Sequence, residues 1–316
     1  MARHSLAYCL LGPVYLAVAA CGGGSDGGGG GNIRPPAVSA EITSQSAPVV
    51  AETVARSILG GQNLSALGGL SIPASSSSAS SGGGAPPIAA LSVGPEVVEC
   101  AAGGSVTLSG DVGNSTMLTA GDTFEFDYTD CDQGEGTVVD GRMRLTVVTF
   151  TPGASEGSFS VTLTMLLTDL QYVEDGIGGS MNGDLTFSLD ASSQLQLSMS
   201  ISSDSLTATY GDASETIEDY ILTIDIDPFA GTLALQSSGT TSSSRFTGVV
   251  DFQTTEPIAF AASGAPVSGR IVITGANNGT VTVDIVGETQ VDLEIDFDGN
   301  GTIDEVVSTT WADLID

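Results

Sequence analysis

From about residue 91 the chain keeps a period of two. Phe124, Phe126 and Tyr128 alternate with Glu125, Asp127 and Thr129, and Phe159, Val161, Leu163 and Met165 alternate with Ser160, Thr162 and Thr164. The pattern returns at Leu185, Phe187 and Leu189, at Leu195, Leu197, Met199 and Ile201, and at Tyr220, Leu222, Ile224 and Ile226. It closes the chain at Val281, Val283 and Ile285, then at Val291, Leu293, Ile295 and Phe297. Extended backbone sends successive side chains to opposite faces, so each stretch is a strand with one dry and one wet side. Gly, Asn, Asp and Ser separate the stretches, and Asn278-Gly279 reads as a type I′ hairpin turn. About 13–15 strands are predicted. Short connections make sequential strands neighbours. The prediction is a mainly β domain over 91–316, a long antiparallel meander forming a curved roll, an open barrel or a sandwich. The phrases DGRMRLTVV and NGDLTFSL look like repeated hairpins, not a repeat array. A membrane barrel would also alternate, but such barrels carry aromatic girdles, and aromatics are 5% of this chain.

Upstream the period lengthens. Val38, Ile42, Val49, Val50, Val54 and Ile58 fall on one stripe of a helix predicted over 35–59. Pro35-Pro36 suits its start, Gly60-Gly61 its end, and Pro48 should kink or split it. Its expected role is a lid or strut packed on the sheet, with a partner-binding helix as the alternative. Residues 60–90, with the run ASSSSASSGGGAPP, are predicted to be a low-complexity linker.

Residues 1–20 have the parts of a secretory signal: Arg3, an apolar run from Leu6 to Ala20, and the small residues Val18-Ala19-Ala20 before Cys21. The run is short of the roughly 20 residues that span a bilayer. The junction resembles the lipobox of bacterial lipoproteins, with Val18 where Leu is usual. That resemblance implies lipidation of Cys21, removal of 1–20, and a membrane partner reached through the lipid anchor. Gly22 in place of Asp implies, by the same resemblance, sorting to the outer membrane. Residues 21–34 then read as a lipidated, glycine-rich tether. Ordinary secretion, with Cys21 left as a free thiol, is the competing reading.

The chain carries 7 basic residues against 38 acidic ones, for a net charge of −31. Such a surface repels nucleic acid, so no nucleic-acid partner is expected. It attracts divalent cations, and it keeps a β-rich protein soluble. All the basic residues are Arg, and the one His is His4, inside the predicted signal. A chain cut at 20 therefore has no His and no Lys. That excludes a His-dependent triad, a His-ligated metal and a Schiff-base lysine. It argues against an enzyme. Cys9 leaves with the signal, and Cys100 and Cys131 remain as a pair in an oxidising compartment, predicted to be bridged.

The sharpest motif is IDFDGNGTIDEV. Asp296, Asp298, Asn300, Thr302 and Asp304 stand at positions 1, 3, 5, 7 and 9, with Gly301 at position 6. It resembles the DxDxNG calcium loops of EF-hands, dockerins and thrombospondin type 3 repeats. The resemblance implies a calcium site, and with or without an ion the loop is expected to have a structural role, pinning the last hairpin near Trp311. Position 12 is Val307 rather than the bidentate Glu of an EF-hand, so Glu305 or a neighbouring loop would have to complete the shell. A plain hairpin turn with solvated acids is the alternative. GASEG, at 153–157, matches a nucleophile pattern but sits between strands in a chain without a useful His, and reads as a hairpin loop. Glu125, Asp127, Asp225 and Asp227 include candidates for a glycosidase-like pair, though a solvated polar face explains them as well. The expected function is a non-enzymatic, outer-membrane-anchored lipoprotein facing the periplasm or the cell surface. Its β-domain would serve structure or binding, with a protein, glycan or lipid ligand. The alternative is an envelope carrier of a hydrophobic ligand, a lipid or lipoprotein, in a curved-sheet cleft.

Overall fold

The computed structural model describes residues 38–67 and 94–315, apart from 114–117, 133, 135–136, 154–157, 175–176, 194–195, 228 and 262–263. Cys21, the tether, the start of the predicted helix and most of the predicted linker lie outside the described residues.

Helix α1 (Ser46–Leu67) precedes every strand. The strands are β1 (Glu96–Glu99), β2 (Gly103–Asp111), β3 (Thr123–Asp132), β4 (Val138–Pro152), β5 (Phe159–Glu174), β6 (Ile177–Ser193) and β7 (Gln196–Tyr210). They continue as β8 (Ala213–Asp227), β9 (Thr232–Ser243), β10 (Val249–Phe260), β11 (Pro266–Thr274), β12 (Thr280–Ile285), β13 (Gln290–Asp296) and β14 (Glu305–Thr310). A short helix α2 (Trp311–Ile315) follows. All fourteen strands form one antiparallel sheet in sequence order, with β1 at one edge and β14 at the other. The edges do not pair, so this is an open sheet and not a closed barrel. Among the described residues no helix is long and apolar enough to cross a membrane.

The alternation explains the burial. Val281, Val283, Val291, Leu293 and Ile295 point inward and are fully or almost fully buried, while Asp284, Asp292 and Glu294 face out. Laid flat, fourteen strands would span roughly 60 Å at about 4.8 Å per strand, far wider than a helix about 10 Å thick. Yet the inward side chains of the sheet and the buried face of α1 form a single apolar core. The sheet therefore curls around the helix.

Ala47, Val50, Ala51, Val54, Ala55 and Ile58 recur at helical spacing and are all buried. The alanines let α1 sit close to β8, β9, β12 and β13, which it touches together with α2. Tyr220 of β8 is buried beneath it and donates a hydrogen bond to the Ser57 carbonyl (3.3 Å). The helix thus has the strut role, but its bounds differ from those predicted. The segment before it is extended. Ser39 bridges Val249 in parallel, the Ala40 amide donates to the Val249 carbonyl (2.7 Å), and Val38 is 77% exposed. The first turn is closed by the Ala47 amide on the Thr43 carbonyl (2.9 Å) and by the Ser46 amide on Thr43 Oγ1 (3.1 Å). Pro48 falls in that first turn, where its missing N–H is no loss, so it neither kinks nor splits the helix. Gly60-Gly61 does not stop it either, because the helix runs on to Leu67.

The second correction concerns DGRMRLTVV and NGDLTFSL. Neither is a hairpin. Asp140-Gly141 lies inside β4 and Asn182-Gly183 inside β6. Both serve a line of β-bulges that creases the long strands. In β3 the inward series Phe124, Phe126, Tyr128 resumes at Cys131, and in β5 the series Met165, Leu167 resumes at Leu170. In β7, Ile201 and Ser203 resume at Leu206, and in β8, Ile217 resumes at Tyr220. Each break holds an aspartate. Asp130, Asp169 and Asp219 have left-handed backbone (φ 47°, 48° and 52°), which short polar residues tolerate. The neighbouring strands are cut to fit. A Cβ on Gly104 would overlap the Asp130 carbonyl, and one on Gly141 would overlap that of Asp169. The Asp130 amide donates to Asp140 Oδ2 (3.2 Å) and the Asp169 amide to Asn182 Oδ1 (2.6 Å). Bulges bend strands and increase their twist, which lets strands of fifteen to seventeen residues fold over the core.

Cys100 and Cys131 form the predicted disulfide, with Cα atoms 5.4 Å apart. The turn between β11 and β12 is also type I′, but shifted by one residue. Asn277 and Asn278 hold the positive φ angles (56° and 60°), while Gly279 is at −56° and donates to the Ala276 carbonyl. Gly279 is needed for space: a Cβ there would stand 2.8 Å from the Phe297 carbonyl oxygen.

Candidate metal centre

The β13–β14 hairpin ends in the loop that the sequence singles out. Asp296 closes β13 next to inward Ile295, on the outward side of the alternation, and yet is only 4% exposed. Its carboxylate is nevertheless satisfied, because Gly299 and Gly301 turn their amides onto it (2.9 and 2.7 Å). Both glycines adopt positive φ (70° and 83°), which this tight wrap requires. The loop is laced further along. The Asn300 amide donates to Asp298 Oδ1 (3.1 Å), the Thr302 amide to Asn300 Oδ1 (2.8 Å), and the Phe297 amide to Asp304 Oδ2 (2.9 Å).

The fold brings Asp296, Asp298 and Asp304 together, with one carboxylate oxygen from each lying within 4.8 Å of the others. This cluster can hold a metal ion. Burial pushes the Asp296 carboxyl upward, but the amides of Gly301, Gly299 and Asn300 outweigh it and hold the group below the usual carboxylate range. Ionised carboxylates this close repel by about 1 kcal/mol per pair even in a water-like dielectric, and a cation between them reverses the sign. The donors are all oxygen, which suits hard cations. Asn300 and Thr302 belong to the same loop, where Asn300 Oδ1 accepts the Thr302 amide just as the aspartates accept amides of their neighbours. Glu305 turns toward the start of α1, where Ser44 Oγ donates to its Oε2 (2.8 Å). Trp311 follows β14 at the open end of the hairpin, with its amide on the Thr289 carbonyl (3.1 Å), so the loop closes the opposite end of the hairpin and not the end near Trp311.

Three of the other acidic candidates, Glu125, Asp127 and Asp227, have structural partners. Arg142 pairs with Glu125 and Asp127 at 3.7 and 3.2 Å on the exposed face, and Asp227 Oδ1 accepts the Phe229 and Ala230 amides (both 2.9 Å). Gly153 lies between the paired strands β4 and β5, with its amide on the Ser158 carbonyl (2.8 Å), as a hairpin loop requires; residues 154–157 are outside the described residues.

A charged cluster that the sequence did not reveal lies where α1 meets β8 and β9. Arg245 grips Glu52 of α1 with both terminal nitrogens (2.6 Å each), and Arg56 reaches the same carboxylate (3.0 Å). Glu215 is buried nearby, and burial pushes its carboxyl up to about 7 despite the two guanidinium groups. The available signal was the presence of Arg56 in an apolar helix of a chain with only 7 basic residues. No family model, no curated protein and no solved structure matches this chain.

Proposed function

We propose that this chain is a non-enzymatic envelope lipoprotein, held in the outer membrane by acylated Cys21, whose creased β-sheet is a binding or structural module stiffened by calcium. One observation carries the module reading. α1 lies in the hollow of the sheet, over β8, β9, β12 and β13, so the interior is packed and the sheet offers its outer face, loops and edge strands. The carrier alternative needs that hollow for its cargo, which makes the module the better account. The anchor rests on Val18-Ala19-Ala20-Cys21 between an apolar run and a glycine-rich stretch. Calcium is favoured over softer metals by an all-carboxylate cluster, with water and backbone carbonyls filling the remainder of a shell of about six to eight oxygens. A weak site is enough outside the cell, where calcium modules work at about 10⁻⁴–10⁻³ M.

The test is fractionation of wild type and Cys21→Ser. The wild type is expected in the outer membrane, and the variant in the soluble fraction with its β-domain folded. Equal membrane retention of both would reject the anchor. Reproducible turnover by the purified protein, lost on replacing a single carboxylate, would reject the non-enzymatic reading.

A further inference from the structure

The two edges of the sheet are guarded differently. β1 is short, preceded by Pro95, and begins and ends with glutamates, Glu96 and Glu99. Proline and charge are common devices against edge-to-edge pairing. β14 reads Glu-Val-Val-Ser-Thr-Thr, with one charge at its start, no proline, and an unbroken register against β13.

Its free hydrogen-bonding groups follow from that register. The Trp311 amide donates to the Thr289 carbonyl, which makes 289 and 311 a hydrogen-bonded pair. In an antiparallel ladder such pairs alternate, so Val307 and Thr309 also bond to β13, while Val306, Ser308 and Thr310 turn their amides outward. No described residue accepts these amides from the far side. The groups are spaced as an added strand would need them.

Two further features flank this edge. On the outer face, Val306 and Ser308 stand opposite Glu294 and Asp292, and Asp284 lies opposite Asp292 one strand further in. Only Asp284 of the three has a close basic partner, Arg270 at 3.2 Å. Ser308 and Gln290 donate to Asp292 and hold its carboxyl below the usual range. On the inner face, a partly open cleft of about 150 Å³ lies between α1, β13, β14 and α2, with an apolar wall of Pro48, Val49, Leu293, Val307 and Leu314 and with Glu52, Thr309 and Asp313 at its polar side. An added strand beside β14 would direct alternate side chains over the acidic face and over this cleft.

We propose that β14 is a docking edge for an extended cationic peptide, added as a fifteenth strand with basic side chains over Asp292 and Glu294 and small apolar ones over the cleft beside Val307. Main-chain pairing would supply affinity, and the alternating side chains specificity. A second copy of the chain is the poorer occupant, because it brings its own net charge of −31. The proposal rests on reading the sheet as a binding module and is independent of Cys21 and of the ion.

The test uses the full chain and a synthetic alternating Lys-Val peptide, read by hydrogen exchange in β14. The outward amides of Val306, Ser308 and Thr310 are expected to exchange freely without peptide and at least tenfold more slowly with it. A Glu-Val peptide and a backbone N-methylated Lys-Val peptide should not protect them. Val306→Pro removes one outward amide without touching a bond to β13, and should weaken binding about tenfold. Asp292→Asn with Glu294→Gln should weaken the Lys-Val peptide while the bonded amides of Val307 and Thr309 stay as protected as in wild type. Protection before any peptide is added would overturn the proposal, whether it comes from the chain's own segments or from a concentration-dependent dimer. Equal binding of the acidic peptide, or binding unaffected by N-methylation, would overturn it too. Membrane release of Cys21→Ser leaves all these outcomes unchanged, so failure of the anchor and failure of the edge are distinguishable.

Discussion

The creased strands β3–β8 and the regular strands β11–β14 solve the same burial problem with opposite means. The pairings among β11, β12, β13 and β14 run without a register shift, over strands of six to nine residues. Every pairing from β3 to β7 is broken by at least one shift, over strands of ten to seventeen residues. A short strand reaches across the core without bending. A long one has to bend to stay on it, and an aspartate bulge facing a glycine provides the bend. The shifts gather where long strands pair, but not by length alone: β7 and β8 pair without one, and the nine-residue β11 carries three against β10. The regular part then has its own specialisation, a loop of converging carboxylates and an unguarded edge.

The comparison breaks most sharply at the crease. Gly141→Ala forces a side chain onto the Asp169 carbonyl at a φ of +108° and should cost roughly 3–5 kcal/mol. Gly287→Ala, in the regular part with open space around it, should be close to neutral. Chemical denaturation of both variants checks this; equal losses would remove the crease as a special element. Next comes the disulfide, whose Cys131 lies just after the β3 bulge. Cys100→Ser with Cys131→Ser should cost roughly 3 kcal/mol for a loop closed over 31 residues.

Titration separates the regions by sign. Glu215 has a folded pKa of about 7, above its usual 4.5, so its contribution is complete below about pH 4.5 and is lost as pH rises through about 7. Glu215→Gln should therefore raise stability at pH 8 by up to about 3 kcal/mol and leave it unchanged at pH 4. Asp296 has a depressed pKa, so its contribution is present above the usual 3.8 and is lost as pH falls through the lowered value. Asp296→Ala should lower stability at pH 7 and have little effect in strong acid. Melting curves across pH for both variants test the opposite slopes.

The smallest effect sharpens the comparison furthest. At 10 mM Ca²⁺ and a Kd near 1 mM, binding adds about 1.4 kcal/mol. The shift should vanish in Asp296→Ala, be equal in wild type and Cys100→Ser/Cys131→Ser, and show by hydrogen exchange in β13–β14 but not in β4–β6. No shift in wild type would leave the loop as a hairpin turn alone.

Much of this fold was legible in the sequence because one-sided burial writes itself as alternation. The meander, the inward residues of β3, β8, β12 and β13, and the Cys100–Cys131 pair could all be read from it. The crease could not, for a local reason. Asp140-Gly141 and Asn182-Gly183 have the composition of hairpin turns, and what makes them bulge partners is Asp169 on the strand between them, distant in sequence from both. The trace they leave is a slip of one residue in the alternation, as at Leu167 and Leu170. The helix start was misplaced because Ile42 is buried by an extended segment that happens to fall on the helical stripe. At the loop of converging carboxylates, the aspartates follow from their spacing in sequence, but the side on which Glu305 bonds depends on Ser44, far off in the chain.

The proposed lipid on Cys21 underlies the proposed placement of this acid-coated chain in the envelope, and intact mass of the protein extracted from native membranes is its direct test. The account predicts a chain that begins at Cys21 and carries diacylglycerol and fatty acyl mass on that residue. A chain that keeps residues 1–20, or that begins at Cys21 with a bare thiol, would contradict it.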